Sequence, residues 1–233
     1  MLINLGRILE IEVIQIRSLT KRNALTLTFL GMLGLFLGFG MFLSSSGLFA
    51  PGMLCFALGA ISAVLGISKL IEPEVSVELN QEGLFYHHRR GSLFIGWDNV
   101  QRFDTPKGVD GIEMIELPFI GIKLKQINPV LDIIPGRLAT GLLTEQRPLL
   151  MSAVTLDENL EELESYMNSE FTPLVVNEER YRGVLAMFGH RCEMLSKNLG
   201  YHIYIPVDCL DRTSDEFVRL LRDYLLRVRQ VGD

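Results

Sequence analysis

The most conspicuous polar group in the sequence is the run His87-His88-Arg89-Arg90. Guanidinium groups and protonated imidazoles bind phosphates and carboxylates, and imidazole also binds metals. Adjacent residues of a β-strand point to opposite faces, so His87 and His88 are poorly placed to chelate one metal ion. We therefore interpret the run as the tip of a basic hairpin, which is either an ordinary solvated turn, the interpretation that we favour, or a site where His87, Arg89 and Arg90 contact anionic lipid head groups.

Three lysines further along the chain could extend this basic surface: Lys107, Lys123 and Lys125. The same stretch also contains acidic residues in nearly equal number, and such a mixture is typical of an ordinary protein surface. The lysines are therefore candidates for lipid or anion contact together with the hairpin.

A second group has the residue types of a thiol catalyst, namely His202, Cys209 and Asp211. A cysteine nucleophile needs a base beside it and a third group that orients the base. The sequence contains no G-x-S-x-G motif, no phosphate-binding glycine-rich loop with Lys and Ser/Thr, and no zinc-ligand spacing. We therefore predict that the chain is not an enzyme and binds no metal and no cofactor, with a thiol-dependent enzyme as the remaining alternative.

Two apolar runs without a charged residue lie near the start of the chain, at Ala24–Leu43 and Phe49–Ser68. Each has about the length that a helix needs to cross the ~30 Å hydrocarbon layer of a membrane. They predict a two-helix transmembrane hairpin over residues 24–71. Lys21, Arg22 and Lys69 flank the runs, and the connection between the runs has no Lys or Arg, so the positive-inside rule places both termini in the cytoplasm.

Small residues recur four apart in both runs, at Gly34 and Gly38 and at Gly59 and Ala63. This spacing lets helix backbones approach closely in lipid. We favour packing of the two spans against each other within one chain, and a homodimer face is the alternative. Neither run contains Asp, Glu, Lys, Arg or His, so a transporter or channel is not expected.

Residues 1–23 form a leader that could be a strand or an amphipathic interfacial helix. Residues 72–233 are long enough for one cytoplasmic domain. The formal net charge of −6 makes nucleic acid an unsuitable partner.

From Val75 onward the pattern is that of an antiparallel meander, with Val75, Val77 and Leu79 on one face and Ser76 and Glu78 on the other. The turns of this meander are predicted at 80–83, 90–92 and 105–108, with a strand at 112–117, and Trp97 is assigned to the core. A helical insertion is predicted at about 129–200. It comprises a helix at 135–146, an acidic helix at 157–167, and a helix that Asn177 caps and Gly200 ends. Thr213–Glu216 is a capping box that opens a final amphipathic helix.

This order of elements, with the step Trp97–Val100 into the fourth strand, resembles the pleckstrin-homology-like domains of bacterial membrane proteins. The stretches Ile120–Lys125 and Glu145–Leu150 are similar to an uncharacterised family of two-span bacterial inner-membrane proteins, a domain of unknown function. The resemblance implies an α+β fold in which a transmembrane hairpin precedes a pleckstrin-homology-like sheet, with inserted helices and a C-terminal amphipathic helix. It implies a multi-pass protein of the bacterial inner membrane, and it carries no activity. The insertion at 129–200 departs from the simple pleckstrin-homology pattern.

We therefore expect a membrane-anchored cytoplasmic interaction or scaffold module. Its partners would be the lipid bilayer and either another membrane protein or a second copy of the chain. The alternative is sensing of anionic lipid head groups through the basic hairpin.

Overall fold

The computed structural model describes residues 13–18, 23–44, 46–110, 113–156 and 172–232. The chain divides into two compact units, Ser18–Glu74 and the remainder. The predicted acidic helix at 157–167 and most of the leader lie outside the described residues. The described part confirms a mixed α+β fold in which two N-terminal apolar helices are followed by antiparallel sheets.

The smaller unit consists of two helices, α1 (Ala24–Ser44) and α2 (Phe49–Ile71), joined by one 3₁₀ turn at Ser46–Leu48. Both are long and apolar enough to cross a membrane, by length and composition. In the most apolar 18-residue stretch of each helix, only 11% and 17% of the residues are buried. Core helices of soluble proteins bury far more than this, because their apolar side chains pack against other elements.

The contact between α1 and α2 is lined by small residues. The buried positions are Ala24, Gly31 and Gly38 on α1 and Gly52, Gly59, Ala63 and Gly66 on α2. Most of them recur seven apart, the spacing that keeps one side of a helix against its partner over several turns. Ser62 adds a hydrogen bond by donating to the Leu27 carbonyl across the contact, at 3.0 Å.

The larger unit contains eleven strands among the described residues. In chain order they are β1 (Ile14–Arg17), β2 (Val75–Leu79), β3 (Gly83–His88), β4 (Gly91–Gly96), β5 (Val100–Asp104), β6 (Lys107–Asp110), β7 (Glu113–Glu116), β8 (Phe119–Leu124), β9 (Leu174–Val176), β10 (Glu179–Tyr181) and β11 (Ile203–Pro206). One sheet has the order β1-β2-β3-β4 and a second the order β11-β8-β5, while β6-β7 and β9-β10 form two-stranded hairpins.

The helices of this unit are α3 (Asn128–Ile133), α4 (Gly136–Glu145), α5 (Arg147–Leu156), α6 (Val184–Asn198) and α7 (Ser214–Gly232). The segment from α3 to α6 lies in the chain between β8 and β11. These two strands nevertheless pair directly, with Ile122 opposite Ile203. The chain therefore leaves the sheet after β8, forms the inserted helices, and returns to pair with β8 as β11.

The described part of the leader contributes a strand rather than a helix. Strand β1 pairs with β2 in antiparallel fashion, with Ile16 opposite Val77 and Arg17 opposite Val75. Ile16 is fully buried. Residues 18–74, including both apolar helices, are thus inserted between two neighbouring strands of one sheet.

Two apolar clusters hold the larger unit together. The main cluster joins both sheets to α7 and includes Ile120 and Ile122 of β8 and Phe217 and Leu221 of α7. It also contains Trp97, as predicted, whose indole N–H donates to the Asn80 carbonyl at 2.7 Å. The smaller cluster lies on the opposite face of the second sheet, against α5 and α6. Its members include Phe119, Tyr204, Leu149 and Leu195.

Three local predictions are wrong. Ser76 is buried, although the alternation predicts a solvent-exposed position. Its burial is tolerated because its hydroxyl lies within hydrogen-bond reach of the Ile16 and Cys209 carbonyls. Asn177 does not cap a helix. It and Glu178 have φ of 49° and 70° in the two-residue turn between β9 and β10, as a type I′ hairpin requires, and α6 begins at Val184. The predicted turn at 105–108 is wrong because Lys107 and Gly108 belong to β6, which pairs with β7; β7 itself corresponds to the strand predicted at 112–117.

The capping box at the start of α7 is confirmed. The Glu216 carboxylate accepts from the Thr213 N–H at 3.2 Å, and the Thr213 hydroxyl accepts from the Glu216 N–H at 3.4 Å. Thr213→Ala is expected to remove the second bond and to destabilise the protein by about 1 kcal/mol, which lowers the melting temperature by about 2–4 °C in a domain of this size. A thermal melt followed by circular dichroism measures the change.

The matched control for this prediction is Thr140→Ala. The Thr140 hydroxyl also bonds to a backbone group, but it returns to the Gly136 carbonyl within α4 and caps nothing. Its removal is expected to leave the melting temperature unchanged or slightly higher. Equal losses for the two variants would show that the capping box contributes no stability of its own.

Candidate functional site

The basic hairpin predicted from the sequence is the turn between β3 and β4. His88 pairs with Gly91 in the strand register, so Arg89 and Arg90 form the turn itself. His87 and His88 contact different partners. The His87 Nδ1 atom lies 2.9 Å from the Ser92 hydroxyl, and the His88 Nε2 atom lies 3.0 Å from a Glu145 carboxylate oxygen.

Glu145, at the end of α4, places a negative charge beside this basic turn. Its carboxylate is also 4.0 Å from the Arg89 guanidinium, at the limit of an ion pair. The hydrogen bond from His88, together with the charges of His88, Arg89 and Arg90, lowers the pKa of Glu145, although partial burial opposes the shift. The positive charge of the turn is therefore partly balanced within the protein.

The contact of Glu145 with the hairpin predicts a pH dependence of stability. A carboxyl group whose pKa is lowered on folding stabilises the folded state above its unfolded pKa of about 4.3, and this contribution disappears as the pH falls through the folded value. Glu145→Gln is therefore expected to destabilise the protein near neutral pH by up to about 1 kcal/mol, a small effect because the pair is partly solvated. Urea unfolding of both proteins between pH 7 and pH 3 should show the difference shrinking on acidification. A difference that stays constant with pH would contradict an ionic contact.

The structure places the three predicted lysines on other elements. Lys107 is exposed on β6, opposite Glu116 of β7. Lys125 is exposed just beyond the end of β8. Lys123 is half-buried on β8, where its ammonium group donates to the Ser196 hydroxyl of α6. Of the six predicted contact residues, His87, Arg89 and Arg90 share one turn, and the lysines are spread over the β6-β7 hairpin and the second sheet.

Lys123 has cationic and aromatic neighbours that the sequence did not indicate. Arg102 of β5 stands directly opposite it in the strand register. The Arg102 guanidinium lies over the Tyr201 ring, 5.2 Å from its centre. Burial and the charge of Arg102 both lower the pKa of Lys123. The alternation of polar and apolar residues predicts both strands, but their register follows only from the fold.

The candidate thiol group is not assembled. His202 and Cys209 lie beyond opposite ends of β11, and Asp211 binds its neighbour Arg212 at 2.6 Å. The His202 Nδ1 atom accepts from the Leu124 N–H at 3.1 Å. Burial and the charge of Lys123 lower the pKa of His202 to about 4. The lone pair of its Nδ1 atom is thus already engaged in a hydrogen bond at neutral pH, so His202 is not placed to act as a base for Cys209.

A polar network that the sequence analysis missed joins α3 to the β9-β10 hairpin. The Tyr181 hydroxyl lies 2.7 Å from Asp132 and 2.6 Å from Glu179. The Asn128 amide donates to Glu179 and to the Val176 carbonyl, both at 2.9 Å. The network fixes the short hairpin to α3. No group of three or more His, Cys, Asp or Glu side chains suited to a metal ion occurs within the residues that the structure describes.

The small residues predicted to pack the apolar helices lie at their mutual contact. Gly38, Gly59 and Ala63 are buried, and Gly34 is half-buried. A Cβ atom added to Gly34 would lie 3.0 Å from the Gly59 Cα atom. These faces of α1 and α2 are therefore occupied by each other within one chain.

Comparison with known proteins places the chain in a family. Residues 77–227 match the family described as "Protein of unknown function (DUF2982)". The chain belongs to the DUF2982 family. The DUF2982 match runs from β2 to α7, and β1, α1 and α2 lie outside it. No curated protein and no solved structure matches the chain. Because the DUF2982 description assigns no activity, the function has to be inferred from the geometry of the chain.

Proposed function

We propose that this DUF2982 protein is a two-span protein of the bacterial inner membrane whose cytoplasmic domain acts as an interaction or scaffold module. The observation that carries the proposal is the insertion of α1 and α2 between β1 and β2. Because Arg17 and Val75 are paired across these strands, the chain leaves one sheet and re-enters it at neighbouring positions. Two membrane crossings satisfy this geometry, since an even number of spans returns the chain to the side it left.

The surfaces of α1 and α2 support their placement in lipid. Large apolar side chains are exposed along both helices, among them Phe29, Phe36, Leu54 and Leu58. In water such a surface would be a strong aggregation site. Lys69 in the last turn of α2 and the basic residues before α1 favour cytoplasmic termini by the positive-inside rule.

The order of elements in the larger unit supports a pleckstrin-homology-like domain. An antiparallel meander in two sheets is followed by a closing helix, α7. This helix is amphipathic, since Phe217, Leu221 and Tyr224 enter the main core while Arg219 and Arg227 are exposed. A domain of this kind, held at the membrane by two chain connections, is suited to present its surface to a membrane partner.

The experiment for the scaffold proposal uses the tagged full chain, cross-linked in native membranes and purified. The control is the same tag on residues 18–74 alone. We expect a defined partner, either another membrane protein or a second copy, to be recovered with the full chain and not with the control. Recovery of the same proteins in both samples would contradict a role for the cytoplasmic domain. A chain found in the soluble fraction without detergent would contradict the membrane placement.

Contact with anionic lipid head groups through the β3-β4 turn is the second candidate, and the exposure of Arg89 favours it. Each basic residue near an anionic leaflet contributes roughly 1 kcal/mol of attraction. In a soluble version of the domain, in which Asn-Gly replaces Ser18–Glu74, the double substitution Arg89→Ala and Arg90→Ala should weaken binding to phosphatidylglycerol vesicles about tenfold or more. Glu145→Gln should strengthen binding because it removes the balancing charge, and Arg219→Ala on α7 is the control. Equal binding by all four proteins would exclude the turn as a lipid contact.

A further inference from the structure

Two cations lie side by side on one face of the second sheet, without an acidic residue between them. Arg102 and Lys123 are direct register partners on β5 and β8, so their side chains leave the same face of the sheet. In the described part of the chain, no carboxylate lies within ion-pair distance of either group. Like charges placed directly opposite each other destabilise a sheet. An uncompensated pair of this kind is a feature that a bound anion would stabilise.

Further hydrogen-bond donors surround the pair. His202 follows one step beyond the register pair of Ile203 with Ile122, which places it beside Lys123. Because its Nδ1 atom accepts from the Leu124 N–H, its remaining proton is on Nε2, and that N–H is a donor. The Lys123 ammonium donates to the Ser196 oxygen, which leaves the Ser196 hydroxyl hydrogen available as another donor.

The aromatic ring of Tyr201 fixes the position of the Arg102 side chain. The guanidinium lies over this ring, and a Cβ atom on Gly200 would lie 3.2 Å from one guanidinium nitrogen. Gly200 has φ of +88°, the conformation by which the chain leaves α6. The guanidinium is therefore held toward the face that carries Lys123 while Arg102 remains exposed to solvent. Held in this way, it loses less side-chain freedom when it binds a ligand.

The negative groups nearby do not neutralise the pair. Asp104, two residues after Arg102, is bound to Arg222 of α7 at 3.2 Å. Glu193, three residues before Ser196 on α6, is exposed and makes no ion pair with Lys123. The C-terminal end of α6 carries only about half a negative charge. Two full positive charges therefore keep the site cationic.

We propose that Arg102, Lys123 and the His202 Nε2–H form a binding site for a phosphate group on this face of the second sheet. A guanidinium binds two phosphate oxygens in a planar fork, and a neighbouring ammonium group adds a point charge. The phosphate belongs either to a free phosphate compound or to a lipid head group. The site is distinct from the β3-β4 turn, and it does not depend on the scaffold role.

The test measures the rate at which an amine-acylating reagent modifies Lys123 in the full chain, read by mass spectrometry. In one arm the protein is in maltoside micelles, and inorganic phosphate replaces chloride at constant ionic strength. In the other arm phosphate is omitted, and the micelles contain phosphatidic acid or, as a control, phosphatidylcholine. Lys107, exposed on β6, is the internal control in both arms.

Saturable slowing of Lys123 modification, several-fold at saturation and absent at Lys107, is the expected result. Slowing by inorganic phosphate identifies a free phosphate compound as the ligand source, and slowing by phosphatidic acid alone identifies a lipid. Arg102→Gln should raise the ligand concentration at half-maximal slowing, the midpoint, about tenfold or more. Arg102→Lys should retain part of the affinity. No slowing in either arm, or equal slowing at both lysines, would overturn the proposal. So would an unchanged midpoint in an Arg102→Gln protein whose circular dichroism and melting temperature match the wild type.

Discussion

A chain in which Asn-Gly replaces Ser18–Glu74 is expected to be soluble and folded, whereas residues 75–233 alone are expected to be markedly less stable. The first version keeps β1 and joins it to β2 by a two-residue hairpin turn, which the pairing of Arg17 with Val75 allows. The second version loses β1 and leaves the edge of β2 open. It thereby loses the buried Ile16 side chain and the carbonyl that accepts from Ser76.

The size of this effect follows from what β1 contributes. Burial of an isoleucine side chain stabilises by roughly 1.5–3 kcal/mol, and each strand hydrogen bond contributes about 1 kcal/mol. A loss of several kcal/mol lowers the melting temperature by about 10 °C or more in a domain of this size. Circular dichroism melts and size-exclusion chromatography measure the two outcomes.

A matched variant separates the strand from its side chain. Ile16→Ala in the joined version keeps the β1 backbone and should give an intermediate melting temperature, because a buried cavity costs about 2–5 kcal/mol. Equal melting temperatures for the joined version and for residues 75–233 would show that β1 does not belong to the folded sheet. Aggregation of the joined version would show that surface other than α1 and α2 requires lipid.

Gly59→Leu is expected to separate α1 from α2. A Cβ atom at Gly59 would lie 2.6 Å from the Leu35 backbone nitrogen and 2.9 Å from the Gly31 carbonyl oxygen. Backbone atoms cannot move aside as a flexible side chain can, so the helices must part. The substitution replaces glycine by a better helix former, and loss of helix propensity therefore cannot explain a disruption.

The measurement is the distance between spin labels at Leu37 of α1 and Leu58 of α2, which are both exposed. In micelles, Gly59→Leu should lengthen and broaden the distance distribution by several Å, since helices packed on glycine come closer than the usual 8–10 Å. Gly40→Leu is the control, because no atom lies within 4 Å of a Cβ built there. An unchanged distribution in Gly59→Leu would contradict the packing of the hairpin through this face.

Features set by neighbouring residues could be predicted from the sequence. The capping box of α7 involves only Thr213 and Glu216, and the two apolar helices follow from their length and composition. Strands β2, β3 and β4 follow from alternation and turn residues, with errors of a residue or two at their ends. Local rules suffice here because the deciding contacts lie within a few positions along the chain.

Features that depend on distant partners could not be predicted. Ser76 reads as an outward position, yet carbonyls of β1 and of the segment after β11 bury it. Glu145 lies far along the chain from His88, and no pattern shows that α4 ends beside the β3-β4 turn. Asn177 has the residue type of a helix cap, and its left-handed backbone makes it equally suitable for a tight turn. The candidate phosphate site requires the register of β5 with β8, which composition does not determine.

The position of α1 and α2 between β1 and β2 also sets an order of events during synthesis. A ribosome makes Ile14–Arg17 first, then the whole of Ser18–Glu74, and only afterwards the partner strand Val75–Leu79. At about 5–20 residues per second, the first strand remains without its partner for several seconds. Pairing of this strand is therefore completed only after both apolar helices have been synthesised, so the sheet cannot close before the whole hairpin has left the ribosome.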